Sequence, residues 1–131
     1  MPPRTAPPFR ADHVGSLLRT RSLKEARARR EKGEGSAIEL KAIEDREIAA
    51  AIRKQEEVGL KLATDGEFRR SWWHFDFFRG LKGVEPITTA TGIQFHGVET
   101  KHEAIKISGK VEFVGHPQIE HFKFLKAHCR V

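Results

Sequence analysis

The stretch "IEDREIAAAIRKQEEVGLKLATDGEFRR", Ile43 to Arg70, decides how this chain is read. Leu40, Ile43, Ile48, Ala51 and Ile52 recur near helical spacing, and Glu, Lys, Arg and Gln fill the outer face. Ser36-Ala37-Ile38-Glu39 has the form of a capping box, so the pattern predicts a helix over about 37–58. Gly59 stands where a C-terminal cap belongs. "LKLATD" then carries few charges and predicts a short strand near 60–65. A helix, a glycine and a strand in series build parallel sheets covered by helices, so the fold class is α/β. Asp65-Gly66-Glu67 falls at the C-terminal end of that strand, where ligands gather in such folds. The bland alternative is a solvated turn with an Asx-type bond at Asp65. Pattern alone leaves both open.

Working outward, residues 1–8 read as a flexible proline-rich arm, and 9–131 as one domain. Phe9 to Val14 predicts a strand closed by Gly15-Ser16. Ser22-Leu23-Lys24-Glu25 fits a second capping box and predicts a helix over about 22–32. A right-handed parallel crossover between the two strands sets their polar ends side by side at one rim. The first end offers His13, Gly15 and Ser16, and the second Asp65, Gly66 and Glu67. A carboxylate facing a turn rich in N–H groups and a hydroxyl can grip an amino acid. Glu67 would take the ammonium and the Gly15-Ser16 turn the carboxylate.

Beyond this rim, "SWWHFDFFRGLK" predicts a helix over 71–82 whose aromatics pack a core. Arg69, Arg70 and these aromatics are expected to serve as rim and packing. Two alternating runs near 93–98 and 104–114 predict an antiparallel hairpin inserted at about 92–114. His116-Pro117 stops it, and "QIEHFKFLKA" predicts a short helix with Ile119, Phe122 and Leu125 on one face.

The totals exclude several classes. With 131 residues, 38% hydrophobic and 32% charged, the chain has the composition of a folded domain. No apolar run approaches the ~20 residues of a membrane span, and no signal-type apolar core is present. One cysteine, Cys129, excludes an internal disulfide and fits a cytoplasmic setting. The net charge of +6 and the cations crowded between Arg19 and Lys32 raise nucleic acid as a partner. Lacking interleaved aromatics, that run reads as a solvated helix face, and a basic binding module built on helix 22–32 is the alternative function. Metal motifs such as Cys-x-x-Cys, His-Glu-x-x-His and His-x-Cys do not occur. His96, His102, His116, His121 and His128 read as surface histidines.

"RADHVGSLLR", the Ile43–Trp73 segment and the ending "HPQIEHFKFLKAH" together resemble the cobalamin-independent methionine synthase family, in particular its short single-barrel members. The resemblance implies the first part of a TIM (β/α)8 barrel carrying an inserted hairpin. It implies methyl transfer from a methylated folate to the thiol of homocysteine, a small-molecule substrate, with zinc as cofactor. Val14, Gly15 and Ser16 match the family's Ile-Gly-Ser-type turn, and Glu67 matches its amino-acid-binding glutamate. His13 and Asp65 are additional candidates, with Asp65 standing where full-length members often carry histidine. The family's zinc ligands, a His-x-Cys pair, a glutamate and another cysteine, have no counterpart here, so no metal ligand and no catalytic residue is assigned. A (β/α)8 barrel needs roughly 200 residues or more. The expectation is therefore an N-terminal third of a family member, inactive alone, or a piece completing a second chain's barrel.

Overall fold

The computed structural model describes residues 5–7 and 13–131. Contacts divide the chain into two compact units, Met1–Arg69 with Lys123–Val131, and Arg70–Phe122. Both contain helix and the second contains antiparallel strands, so the α/β class holds.

In the first unit, helix α1 runs from Arg21 to Glu31. Its N-cap is Thr20, whose hydroxyl accepts from the Leu23 amide, and not Ser22 as the capping-box pattern suggests. The Ser22 hydroxyl is drawn away instead, donating at 2.8 Å to Glu47 on the next helix. Helix α2, Ala37–Glu57, begins at the expected capping box, in which Ser36 and Glu39 each satisfy the other's backbone amide. Its end is a Schellman motif. The Gly59 amide reaches the Glu56 carbonyl, the Leu60 amide reaches that of Gln55, and Gly59 supplies the left-handed φ of +86°.

Leu23, Ile48, Ile52 and Phe68 form the buried centre of this unit. Leu17, Leu40, Ile43, Ala51, Ala63, Phe124, Leu125 and Cys129 pack around it. The apolar stripe of α2 therefore faces inward as its spacing requires. Two polar residues assigned to the outer face join it, since Glu44 and Gln55 are also buried.

The expected strand at 60–65 does not form, and the segment is irregular. A strand needs a neighbouring backbone, and here a side chain takes that place. Gln55 donates to the Thr64 carbonyl at 2.8 Å and accepts from the Thr64 amide at 3.0 Å. Of the expected strand at 9–14, residues 9–12 lie outside the described residues, and His13 and Val14 are not in a strand. Most of the 1–8 arm also lies outside them.

In the second unit the expected helix over 71–82 shrinks to the single turn α3, Phe75–Phe78. The Asp76 carboxylate accepts from the amides of Ser71 (2.7 Å) and Trp72 (3.2 Å), which holds those residues out of the helix. Of the aromatics only Phe75 is buried, while Trp73 is 70% exposed. The hairpin is also rearranged. Strand β4, Glu103–Glu112, pairs with β1, Lys82–Thr88, in a register running from Val84–Ile107 to Thr88–Glu103. The register breaks between Lys82 and Val84. There Gly83 has φ +78°, and a Cβ would lie 2.5 Å from the Lys110 carbonyl oxygen. Residues 93–98 do not pair with β4; β2 (Gln94–Phe95) and β3 (Val98–Glu99) make a small hairpin of their own.

His116 is buried rather than on the surface. Its Nδ1 accepts from the Gln118 amide at 3.1 Å, so Nε2 carries the proton donated to the Phe77 carbonyl at 2.9 Å. Its ring stacks on Phe77 with centroids 5.1 Å apart. His116 thereby opens helix α4, Pro117–His128, with Pro117 at the first helical position. The boundary between the units falls within α4. Ile119 and Phe122, expected on one face of this helix, are 41% and 61% exposed.

Candidate functional site

The two expected polar clusters do meet, within the first unit. The Ser16 hydroxyl donates to Glu67 Oε2 at 2.5 Å. One residue on, the Leu17 amide donates to the Gly66 carbonyl at 3.1 Å. The loop that carries Glu67 is tightly shaped. Gly66 has φ +66° and Glu67 φ +56°, Glu67 being the one non-glycine residue with positive φ among the described residues. The Thr64 hydroxyl accepts from the Gly66 amide at 3.1 Å, and Asp65 Oδ1 accepts from the Glu67 amide at 2.9 Å. Asp65 thus makes the Asx-type bond of the bland reading, and that bond helps aim Glu67. Facing it, Gly15 has φ +89°, a conformation suited to glycine.

Two further candidates, His13 and Val14, immediately precede the Gly15 turn. Val14 is 87% exposed. His13 is half-buried, and no hydrogen bond among the described residues links it to Asp65 or Glu67.

Two arginines bond the backbone of this loop, and a third lies just beyond it in the chain. Arg19 Nη2 donates to the Glu67 carbonyl at 2.9 Å and its Nε to the Phe68 carbonyl at 3.5 Å. Arg27 Nη1 donates to the Phe68 carbonyl at 2.9 Å and lies 3.6 Å from Glu44 Oε1. Arg69 is no rim residue, because its side chain is only 7% exposed. It pairs with Glu44 at 3.2 Å and with Asp45, and its guanidinium carbon lies 5.2 Å from the Phe124 ring centroid. Burial pushes the Glu44 carboxyl up, against the pull of Arg69 and Arg27. For Asp45 burial acts in the same sense, but hydrogen bonds from Lys41 and Arg69 outweigh it and hold the carboxyl down. A signal for Glu44 and Gln55 does exist in the sequence: they fall four before Ile48 and three after Ile52, on the same stripe. For Arg69 nothing local distinguishes it from Arg70.

The cation-rich segment is partly consumed internally. Arg27 is bound as above, Arg21 pairs with Glu25 at 2.7 Å, and Arg30 reaches the Gly35 carbonyl at 3.4 Å. No group of three or more His, Cys, Asp or Glu suited to a metal ion occurs among the described residues. No helix among them is long and apolar enough to cross a membrane.

Residues 9–112 match the family described as cobalamin-independent synthase, catalytic domain, and the chain belongs to that family. It is similar to YxjH of Bacillus subtilis strain 168, a protein without an assigned activity, with 55% identity over 118 residues, 90% of this chain and 31% of that one. It is 42% identical over 77 residues to a 5-methyltetrahydropteroyltriglutamate–homocysteine methyltransferase of Mesorhizobium japonicum, covering 59% of this chain and 10% of that one. A solved structure from Listeria monocytogenes, provisionally named a vitamin-B12-independent methionine synthase, superposes with a TM-score of 0.74 at 46% identity. That match covers 95% of this chain and 34% of the other. The chain thus spans about a third of the length of YxjH and of this neighbour.

Proposed function

We propose that this chain is the homocysteine-binding part of a zinc-dependent methyltransferase that makes methionine from homocysteine and a methylated folate. The observation that carries the reading is the bond from Ser16 to Glu67 across the left-handed Gly15 turn. A carboxylate held beside a hydroxyl and turn amides has the parts to bind both ends of an amino acid. Glu67 takes the ammonium in place of the Ser16 hydroxyl, which turns with the Gly15-Ser16 amides to the carboxylate. Val14, exposed beside the turn, offers a surface to the aliphatic part of the ligand. Family membership and the named methyltransferase relative support the choice of substrate.

In this reading the chain provides the opening portion of a (β/α)8 barrel in a cytoplasmic enzyme. Zinc favours the thiolate of a bound thiol. The residues present do not fit a zinc site, since the described ones gather no ligand set, and no chemical step is assigned to them. On this proposal the 131-residue chain alone is expected to bind without turnover, and a second chain supplying the rest of the barrel is expected to restore methyl transfer. Titration calorimetry with L-homocysteine tests the binding claim. Glu67→Gln and Ser16→Ala are expected to weaken binding at least about tenfold, and affinity untouched by both substitutions would sink the reading. Zinc-dependent methionine formation by the purified chain alone would overturn the expected lack of turnover.

A further inference from the structure

We infer that Arg19 is a positioning residue that holds Glu67 in its binding conformation, an inference that rests on the reading of Glu67 as an amino-acid ligand. A side chain with a Cβ disfavours the left-handed region, yet Glu67 occupies it at φ +56°. Something must hold it there. The Asx bond from Asp65 fixes the amide side of the residue. On the carbonyl side stands Arg19, which donates to the carbonyls of both Glu67 and Phe68. Relaxing Glu67 to negative φ would turn these carbonyls away from the guanidinium and swing the carboxylate away from Ser16.

Arg19 is well placed to resist that rotation. Two residues before it, Leu17 is tied to the Gly66 carbonyl, and the next residue, Thr20, is the N-cap of α1. One short segment therefore supplies both the partner of the Glu67 carboxylate and the brace of its backbone. Arg27 shares the load at Phe68 but does not reach the Glu67 carbonyl in the bonds described above. The bonds from Arg19 to the Glu67 and Phe68 carbonyls fix backbone, and through them it acts on the ligand by way of Glu67.

The test compares Arg19→Met and Arg19→Lys in the full chain, each with Glu67 and with Glu67→Gln. Backbone shifts and scalar couplings of residue 67 report the sign of φ without any ligand. The unaltered chain is expected to show positive φ, R19M a shift toward negative φ, and R19K an intermediate state. A left-handed signature intact in both variants overturns the inference. In L-homocysteine titrations R19M is expected to cost about tenfold with Glu67 in place and no more than about twofold in the Glu67→Gln background. Equal losses in the two backgrounds overturn it. Should the unaltered chain bind no homocysteine, the proposed function fails, while the coupling measurement still decides Arg19. Should R19M not fold, R19K decides alone, with unchanged φ at residue 67 counting against the brace.

Discussion

Gln55 and Thr64, nine residues apart, are joined by two hydrogen bonds that use both ends of the glutamine amide. The side chain sits within the helix-packed core and replaces the ladder that a neighbouring strand would supply. Removing it leaves a part-buried amide and carbonyl without their partner. Gln55→Leu is expected to destabilise the chain by about 2–3 kcal/mol, read as a lowered urea midpoint. Gln55→Glu should be worse at neutral pH than in acid, because a carboxylate repels the Thr64 carbonyl and a protonated carboxyl does not.

The Glu44–Arg69–Asp45 group gives opposite pH slopes. The folded pKa of Glu44 is raised above its ordinary 4.5, so the folded state holds the extra proton. Its contribution is a stability that falls as pH climbs from 4.5 through that raised value. The folded pKa of Asp45 is lowered from 3.8, so its stabilisation is present above 3.8 and is lost as pH falls through the folded value. Urea midpoints measured against pH should therefore lose the decline above 4.5 in Glu44→Gln and part of the acid-side loss in Asp45→Asn. Unaltered slopes in both variants would contradict this assignment.

Gly15 and Gly66 share a left-handed φ but differ in their surroundings. A Cβ at Gly15 meets open space, whereas at Gly66 it lies 3.1 Å from Leu17 and 3.0 Å from Phe68. Gly15→Ala should cost about 1–2 kcal/mol of conformational strain. Gly66→Ala adds overpacking worth about 1–3 kcal/mol, so thermal melts should rank it clearly lower. It should also disturb ligand binding more, since Leu17 adjoins Ser16.

Gly80 and His116 form a size-complementary pair. A Cβ at Gly80 would lie 2.2 Å from the imidazole, which itself is buried and fixed at both nitrogens. Gly80→Ala should destabilise by about 1–3 kcal/mol. His116→Ala makes room, so the same change in that background should cost much less. A double-mutant cycle showing simple additivity would refute the contact.

What could be read in the sequence follows the range of the forces involved. Helix α2 was legible because its stripe, its Ser36 cap and its Gly59 exit are local and agree with one another. The meeting of Ser16 with Glu67 was legible because two short polar turns could be placed at one rim, even though the strands proposed to carry them do not appear among the described residues. Strand β1 escaped because Pro86 interrupts it; a two-stranded ribbon tolerates a proline that a central strand would not. Its partner β4 was then matched to the wrong neighbour. Arg69, Glu44 and His116 escaped for a different reason. A charged or polar residue is usually exposed, and only long-range pairing reveals the exceptions.

Cys129 has its own use. It is the chain's sole cysteine and packs beside the Leu23–Ile48–Ile52 cluster, its amide bound to the Leu125 carbonyl at 2.9 Å. A thiol in that position is a built-in clock. Because the thiol is half-buried, the factor by which its alkylation slows relative to the urea-unfolded chain reports how well the end of α4 stays packed, and no engineered label is needed to follow it.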